Sequence, residues 1–204
     1  MGLISNGTTI FDAGSMAAGL GGSMVFIKKL TASSSATLSF VDGSSSVVLD
    51  NTYKEYMFIF NSIHPQNAVF GFGFNGSIDS GSNYNVTKTT TWFSAYHNEN
   101  GTSGTLEYST SADLAQSTDF QRLTGTVHNA NDQAFSGYLR LSNPSSTTFV
   151  KHFMSNVNYG YSTPGTENVR TAGYFNTTSA IDAIQFKMNT GNIDAGTITL
   201  YGIS

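Results

Sequence analysis

The side chains able to do chemistry are few and scattered. His64, His97, His128 and His152 lie far apart in the chain, and none falls in an HxH, HExxH or Cys/His spacing that assembles a metal site. There is no cysteine, which excludes thiolate ligands, cysteine nucleophiles and disulfides. Among the thirteen acidic residues, Asp42, Asp50, Asp79, Glu99, Asp132 and Glu167 fall beside small or amide residues in turn-like stretches, where a carboxylate ordinarily caps backbone amides. Their spacing nominates no facing pair of the kind a glycosidase needs. Asp79, Asn83 and Asn85, or Asn129, Asn131 and Asp132, offer hard oxygen ligands for calcium but follow neither an EF-hand nor a nonapeptide pattern. No serine sits in a Gly-x-Ser-x-Gly elbow, no phosphate-cradling GxxxxGK[ST] loop exists, and Gly71-x-Gly73 lacks the third glycine and the helix of a dinucleotide site. The expectation is a protein that is not an enzyme and carries no metal or other cofactor.

One binding signal remains. Tyr159 and Tyr161 stand with Asn158 and Gly160 in the stretch NYGYSTPGTEN, where displayed rings beside amides would suit stacking on sugar faces. The preferred alternative is that both tyrosines pack onto the end of the domain or onto a neighbouring subunit.

Composition points to surface rather than reactivity. Charged residues make up only 11% of the 204, and polarity is carried instead by hydroxyls and amides, which lose less on desolvation than full charges do. The net charge is -4, and basic residues are single apart from Lys28-Lys29, so no phosphate-neutralising patch exists and direct nucleic-acid binding is not expected. No run of about 18 apolar residues is present, and residues 1–24 lack a basic leader and an apolar stretch, so neither a membrane span nor a signal peptide is expected. Aromatic residues reach 13%, which favours strands, because flat rings pack well on a pleated, half-buried surface.

The chain divides into two parts. Residues 1–23 are glycine-rich and carry isolated apolar side chains; they read as an extended arm, with Ile4, Ile10, Phe11, Met16 and Leu20 the candidate assembly contacts on a neighbouring subunit. Residues 24–204 read as a single domain of about ten short strands separated by turn clusters. Segment 54–63 has apolar residues on both faces and is expected to be a central strand covered on both sides. Segment 69–74 alternates Phe70, Phe72 and Phe74 with Gly71 and Gly73, so something must lie close against the glycine face. The only helical candidate is one turn near 111–116, with Ser111 as its cap. The fold class that follows is all-β, an antiparallel β-sandwich of jelly-roll type.

A resemblance gives these elements a context. The ending from Ala180 to Met188, followed by Thr190-Gly191-Asn192-Ile193 and then Gly196 to Gly202, is similar to that of bacteriophage virion structural proteins of the head-decoration and tail-fibre type. The likeness extends to Ser35–Phe40, Thr52–Phe58 and Gly137–Pro144, and so spans roughly residues 25–204. It implies a jelly-roll sandwich on the particle surface that forms a homo-oligomer, often a trimer, and binds other virion proteins, either the major capsid protein or tail proteins. Fibre proteins carry a long repetitive shaft that this chain lacks, which turns the expectation toward a capsid decoration or cement protein. The alternative is a tail-fibre or adhesin module binding host surface glycan, and a depolymerase is the third reading.

Overall fold

The computed structural model describes residues 3–6, 8–12, 15–16, 23–161 and 164–204. Among them there is no helix. Near the N-terminus β1 (Leu3–Ser5), β2 (Thr8–Asp12) and β3 (Ser15–Met16) form a small antiparallel meander, so this part of the arm pairs with itself instead of running as one extended strand. Then follow β4 (Met24–Thr31), β5 (Leu38–Val41), β6 (Glu55–Pro65), β7 (Val69–Phe70), β8 (Phe72–Ser77), β9 (Lys88–Asn98) and β10 (Gly104–Tyr108). The chain continues through β11 (Gln121–Arg122), β12 (Thr126–Val127), β13 (Phe135–Ser142), β14 (Lys151–Tyr161), β15 (Gly165–Phe175), β16 (Ala183–Met188) and β17 (Ile193–Ile203).

The pairings are nested. β4 pairs with β17, β5 with β16, β6 with β13, β7 with β12 and β8 with β11, all antiparallel. That is one long hairpin rolled into two layers, which is the jelly-roll arrangement. One layer is a four-stranded sheet in the order β11-β8-β16-β5; the other is the run β13-β6-β17-β4, widened by β14, β15, β9 and β10 into an eight-stranded sheet. The strands are more numerous than the sequence suggested, because β1–β3 and β10 add to the expected strands and the segments 69–74 and 119–127 each divide in two, as β7–β8 and β11–β12.

Aromatic rings fill the space between the layers. Phe186 of the smaller sheet touches Phe58 and Phe60 of the larger at 5.3 Å between centroids and stacks on Phe72 at 5.7 Å. Phe74 meets Phe153 edge-on at 4.9 Å. Each such ring contributes on the order of 1.5–3 kcal/mol by leaving water. The glycine face of β8 is approached as expected: a Cβ on Gly73 would sit 2.9 Å from the Gln121 carbonyl oxygen.

Two expectations need correction. Residues 111–116 are turn, not helix, because Thr90 holds the segment flat: its Oγ1 accepts from Leu114 N at 2.8 Å and its own N–H donates to Leu114 O at 2.9 Å. And β6, although central between β13 and β17, is covered on one side only. Tyr56, Phe58 and Phe60 point inward at 0–1% exposure, whereas Met57 and Ile59 on the opposite face are half-buried, shielded by side chains of the adjacent strands and by no second layer among the described residues.

Candidate binding face

The uncovered side of the eight-stranded sheet is built by simple alternation. In β13, β14, β15 and β9 every second residue points inward and is buried, so Tyr138, Met154, Arg170 and Phe93 must point out. Register aligns these residues in rows across the strands. One row runs Tyr201, Met57, Arg140, Met154, Ala172, Thr91, and the next Ile59, Tyr138, Asn156, Arg170, Phe93, Tyr108. Met154 is 54% exposed, Phe93 38% and Tyr138 36%, values high for apolar side chains in mid-sheet.

Two hollows adjoin on this face. One, of about 380 Å³, lies among Thr89, Thr91, His152, Met154 and Tyr174, where the short side chain of Ala172 leaves space between longer neighbours. The other, of about 370 Å³, lies among Phe93, Tyr138, Arg140, Asn156 and Arg170, and shares Met154 and Ala172 with the first. Arg140 is ion-paired to Glu55 at 2.5 Å, a hydrogen bond that raises its pKa further. Arg170 has no ion-pair partner among the described residues.

Ionisable groups also occur on the other side of these strands, where they are enclosed. Lys88 is fully buried and donates to the Asp119 carbonyl at 2.5 Å; burial pulls its ammonium down to about 7. Lys151 is equally buried, donates to the carbonyls of Ser179 and Thr177, and is lowered for the same reason. Thr90 Oγ1 donates to Gln121 Oε1 at 2.5 Å, and Gln121 in turn donates to the Ala112 carbonyl. These groups fasten the 109–121 and 177–182 loops to the sheet by hydrogen bonding to them.

Tyr159 belongs to this enclosed set, which removes it from the exposed binding loop and agrees with the preferred reading that it packs onto the domain. It lies inside β14 at 1% exposure, donates its hydroxyl proton to Glu167 Oε2 and accepts from Gly125 N at 2.9 Å. The stretch read as a binding loop is the tip of the β14–β15 hairpin, and alternation turns Tyr159 inward. Tyr161 ends β14, and its side chain lies outside the described residues. Of the arm residues, Ile4 is exposed at 62%; Ile10, Phe11 and Met16 lie in strand backbone with side chains outside the described residues, as does the whole of Leu20.

Of the candidate calcium ligands, Asp79 and Asn83 are used locally. Asp79 accepts from Ser77 Oγ at 2.6 Å and from Asn83 through both its backbone and its side chain, and these bonds hold its carboxyl down to about 2. No group of three His, Asp or Glu side chains placed to hold a metal occurs among the described residues.

Sequence reading missed the outer face. Its signal was present in β6, where Met57 and Ile59 alternate with the inward rings, but two apolar faces suggested two covering layers. Compared with models of known protein families, with curated proteins and with solved structures, the chain matches none. Fold and face together define a jelly-roll sandwich that presents an apolar, aromatic sheet surface.

Proposed function

We propose that the protein is a non-enzymatic structural component of a bacteriophage particle, a decoration or cement protein that packs its outer sheet face against neighbouring virion proteins. The observation that carries this reading is the pair of aligned rows, in which Tyr138, Phe93 and Met154 stand exposed in the middle of a sheet. Large apolar side chains gathered on one open face of a folded domain mark a contact site. The scarcity of charge favours close packing, and the resemblance of residues 25–204 to phage virion proteins supplies the setting. Added burial at ~25 cal/mol per Å² is modest for one copy but multiplies over a symmetric shell.

Particles lacking the protein test this reading. They should assemble, yet release their genome at lower temperature than complete particles; equal heat resistance would overturn it. Labelling the protein on intact particles then distinguishes head from tail.

A second reading, an adhesin that binds host glycan, has its own support. Tyr138 and Phe93 stand three strand spacings apart, about 14 Å, with Asn156 and Arg170 between them, an aromatic and hydrogen-bonding floor long enough for two or three sugar rings. Binding of the purified protein on a glycan array, lost on Tyr138→Ala, would favour it.

A further inference from the structure

We propose that β10 is a dimerisation edge: two copies of the chain pair their β10 strands antiparallel about a twofold axis at Leu106, joining two eight-stranded sheets into one. The inference reaches beyond the role proposed above, because it concerns the purified chain and does not depend on any particle.

β10 is the outermost strand of its sheet, paired only with β9, and all five of its residues are exposed, Leu106 at 72% and Tyr108 at 52%. The flanking hydrogen bonds fix which way its backbone points. Asn98 N donates to Ser103 O and Ser109 N donates to Trp92 O, so in the alternating antiparallel pattern Ser103, Thr105, Glu107 and Ser109 bond to β9. Gly104, Leu106 and Tyr108 therefore turn their N–H and C=O groups away from the sheet. These are the groups a further strand would take up.

The sequence GTLEY is complementary to itself in that register. With Leu106 opposite Leu106 of the second copy, each leucine gives and receives a backbone bond, and the two side chains meet on the outer face. Gly104 falls opposite Tyr108, whose phenol donates to Asp113 of its own chain at 2.6 Å, and Gly104 sets no side chain against it. On the opposite face Glu107 falls opposite Thr105, so no like charges are opposed. The other end of the sheet differs: β4 carries Lys28 and Lys29 in mid-strand, where charge on an edge discourages pairing with a second copy. A twofold normal to the sheet sets both outer faces on the same side. Five residues make a short ladder, so the dimer should form in proportion to concentration rather than be permanent.

Sedimentation velocity of the full chain over a concentration series tests this, with a second test by cross-linking. Wild type should shift from monomer to dimer as concentration rises. Leu106→Pro removes only an N–H that the monomer leaves unpaired, and Leu106→Lys sets two ammonium groups against each other. Both should remain monomeric at every concentration with an unchanged circular dichroism spectrum, while Phe149→Lys, an equally exposed residue away from β10, should dimerise as wild type does. Leu106→Cys introduces the single thiol of the chain and should be joined to the second copy by a short bis-maleimide, since the opposed Cβ atoms of a hydrogen-bonded pair lie about 5.5 Å apart, too far for a direct disulfide but well within the linker's span. A chain monomeric throughout, an oligomer that survives Leu106→Lys, or a Leu106→Cys variant that does not cross-link would each overturn the proposal.

Discussion

The two surfaces of the eight-stranded sheet are made by the same strands and the same alternation, yet they serve opposite ends. Inward, Phe58, Phe60, Leu139, Leu141 and Phe153 are at 0–1% exposure beneath the four-stranded sheet. Outward, Met57, Ile59, Tyr138, Met154 and Phe93 are comparably apolar and have no layer over them among the described residues. A sandwich needs one apolar face per sheet to fold. The second apolar face is surplus to the packing of the two described layers, and leaving it open disfavours solubility unless something further covers it. The difference between the surfaces therefore separates residues that hold the fold from residues available to a partner.

Substitutions should break that symmetry in graded fashion. Phe186→Ala empties the hub of the ring cluster and should lower unfolding free energy by about 3–5 kcal/mol, read from urea denaturation. Loss below about 1 kcal/mol would mean the inner face is not the source of stability. Tyr159→Phe removes the hydroxyl shared by Glu167 and Gly125 and should cost about 1–3 kcal/mol without altering any partner binding. If surface binding fell while stability held, the tyrosine would belong to a site after all.

Lys88 gives a pH test of the enclosed polar layer beneath β9. Its folded value is lowered to about 7 from an ordinary 10.5, so between those values the unfolded chain binds more protons than the folded one. Stability should consequently rise with pH from about 7 upward, while below 7 the full penalty for burying the charge is present. Lys88→Met has no proton to release and should flatten the rise, although Lys151, shifted in the same direction, retains part of it. Urea midpoints at about pH 7 and about pH 9 for both proteins decide this; identical slopes would mean the Lys88 ammonium is solvated in the folded state. The smallest stability effect belongs to the outer face, where Met154→Ala should change unfolding free energy by no more than about 0.5 kcal/mol.

Much of the inner architecture could be read from residue order. Period-two rings in 54–63 and 69–74, and the glycines alternating with Phe72 and Phe74, mark strands, their buried face and a close neighbour. The candidate site was far less legible. Alternation reveals which residues share a face but not whether a layer lies over it, so Met57 and Ile59 were assigned a cover that the fold does not provide. Tyr159 could be offered for display because a glycine-containing, amide-rich stretch resembles a loop, whereas pairing along β14 and β15 extends to Tyr161 and Gly165 and turns that ring inward, onto the domain as the preferred reading had it. The burial of Lys88 and Lys151 had no sequence signal, since the loop carbonyls that receive them come from distant turns. Strand β10 was overlooked because GTLEY is short and flanked by turn residues.

Add-back to particles that lack the protein measures directly whether the outer face is the working surface. Wild-type protein and a Tyr138→Ser, Met154→Ser double variant, matched for urea midpoint, would be mixed with such particles and the temperature of genome release recorded. The account predicts that wild type restores heat resistance and the variant does not, despite an intact fold. Full restoration by the variant would contradict it.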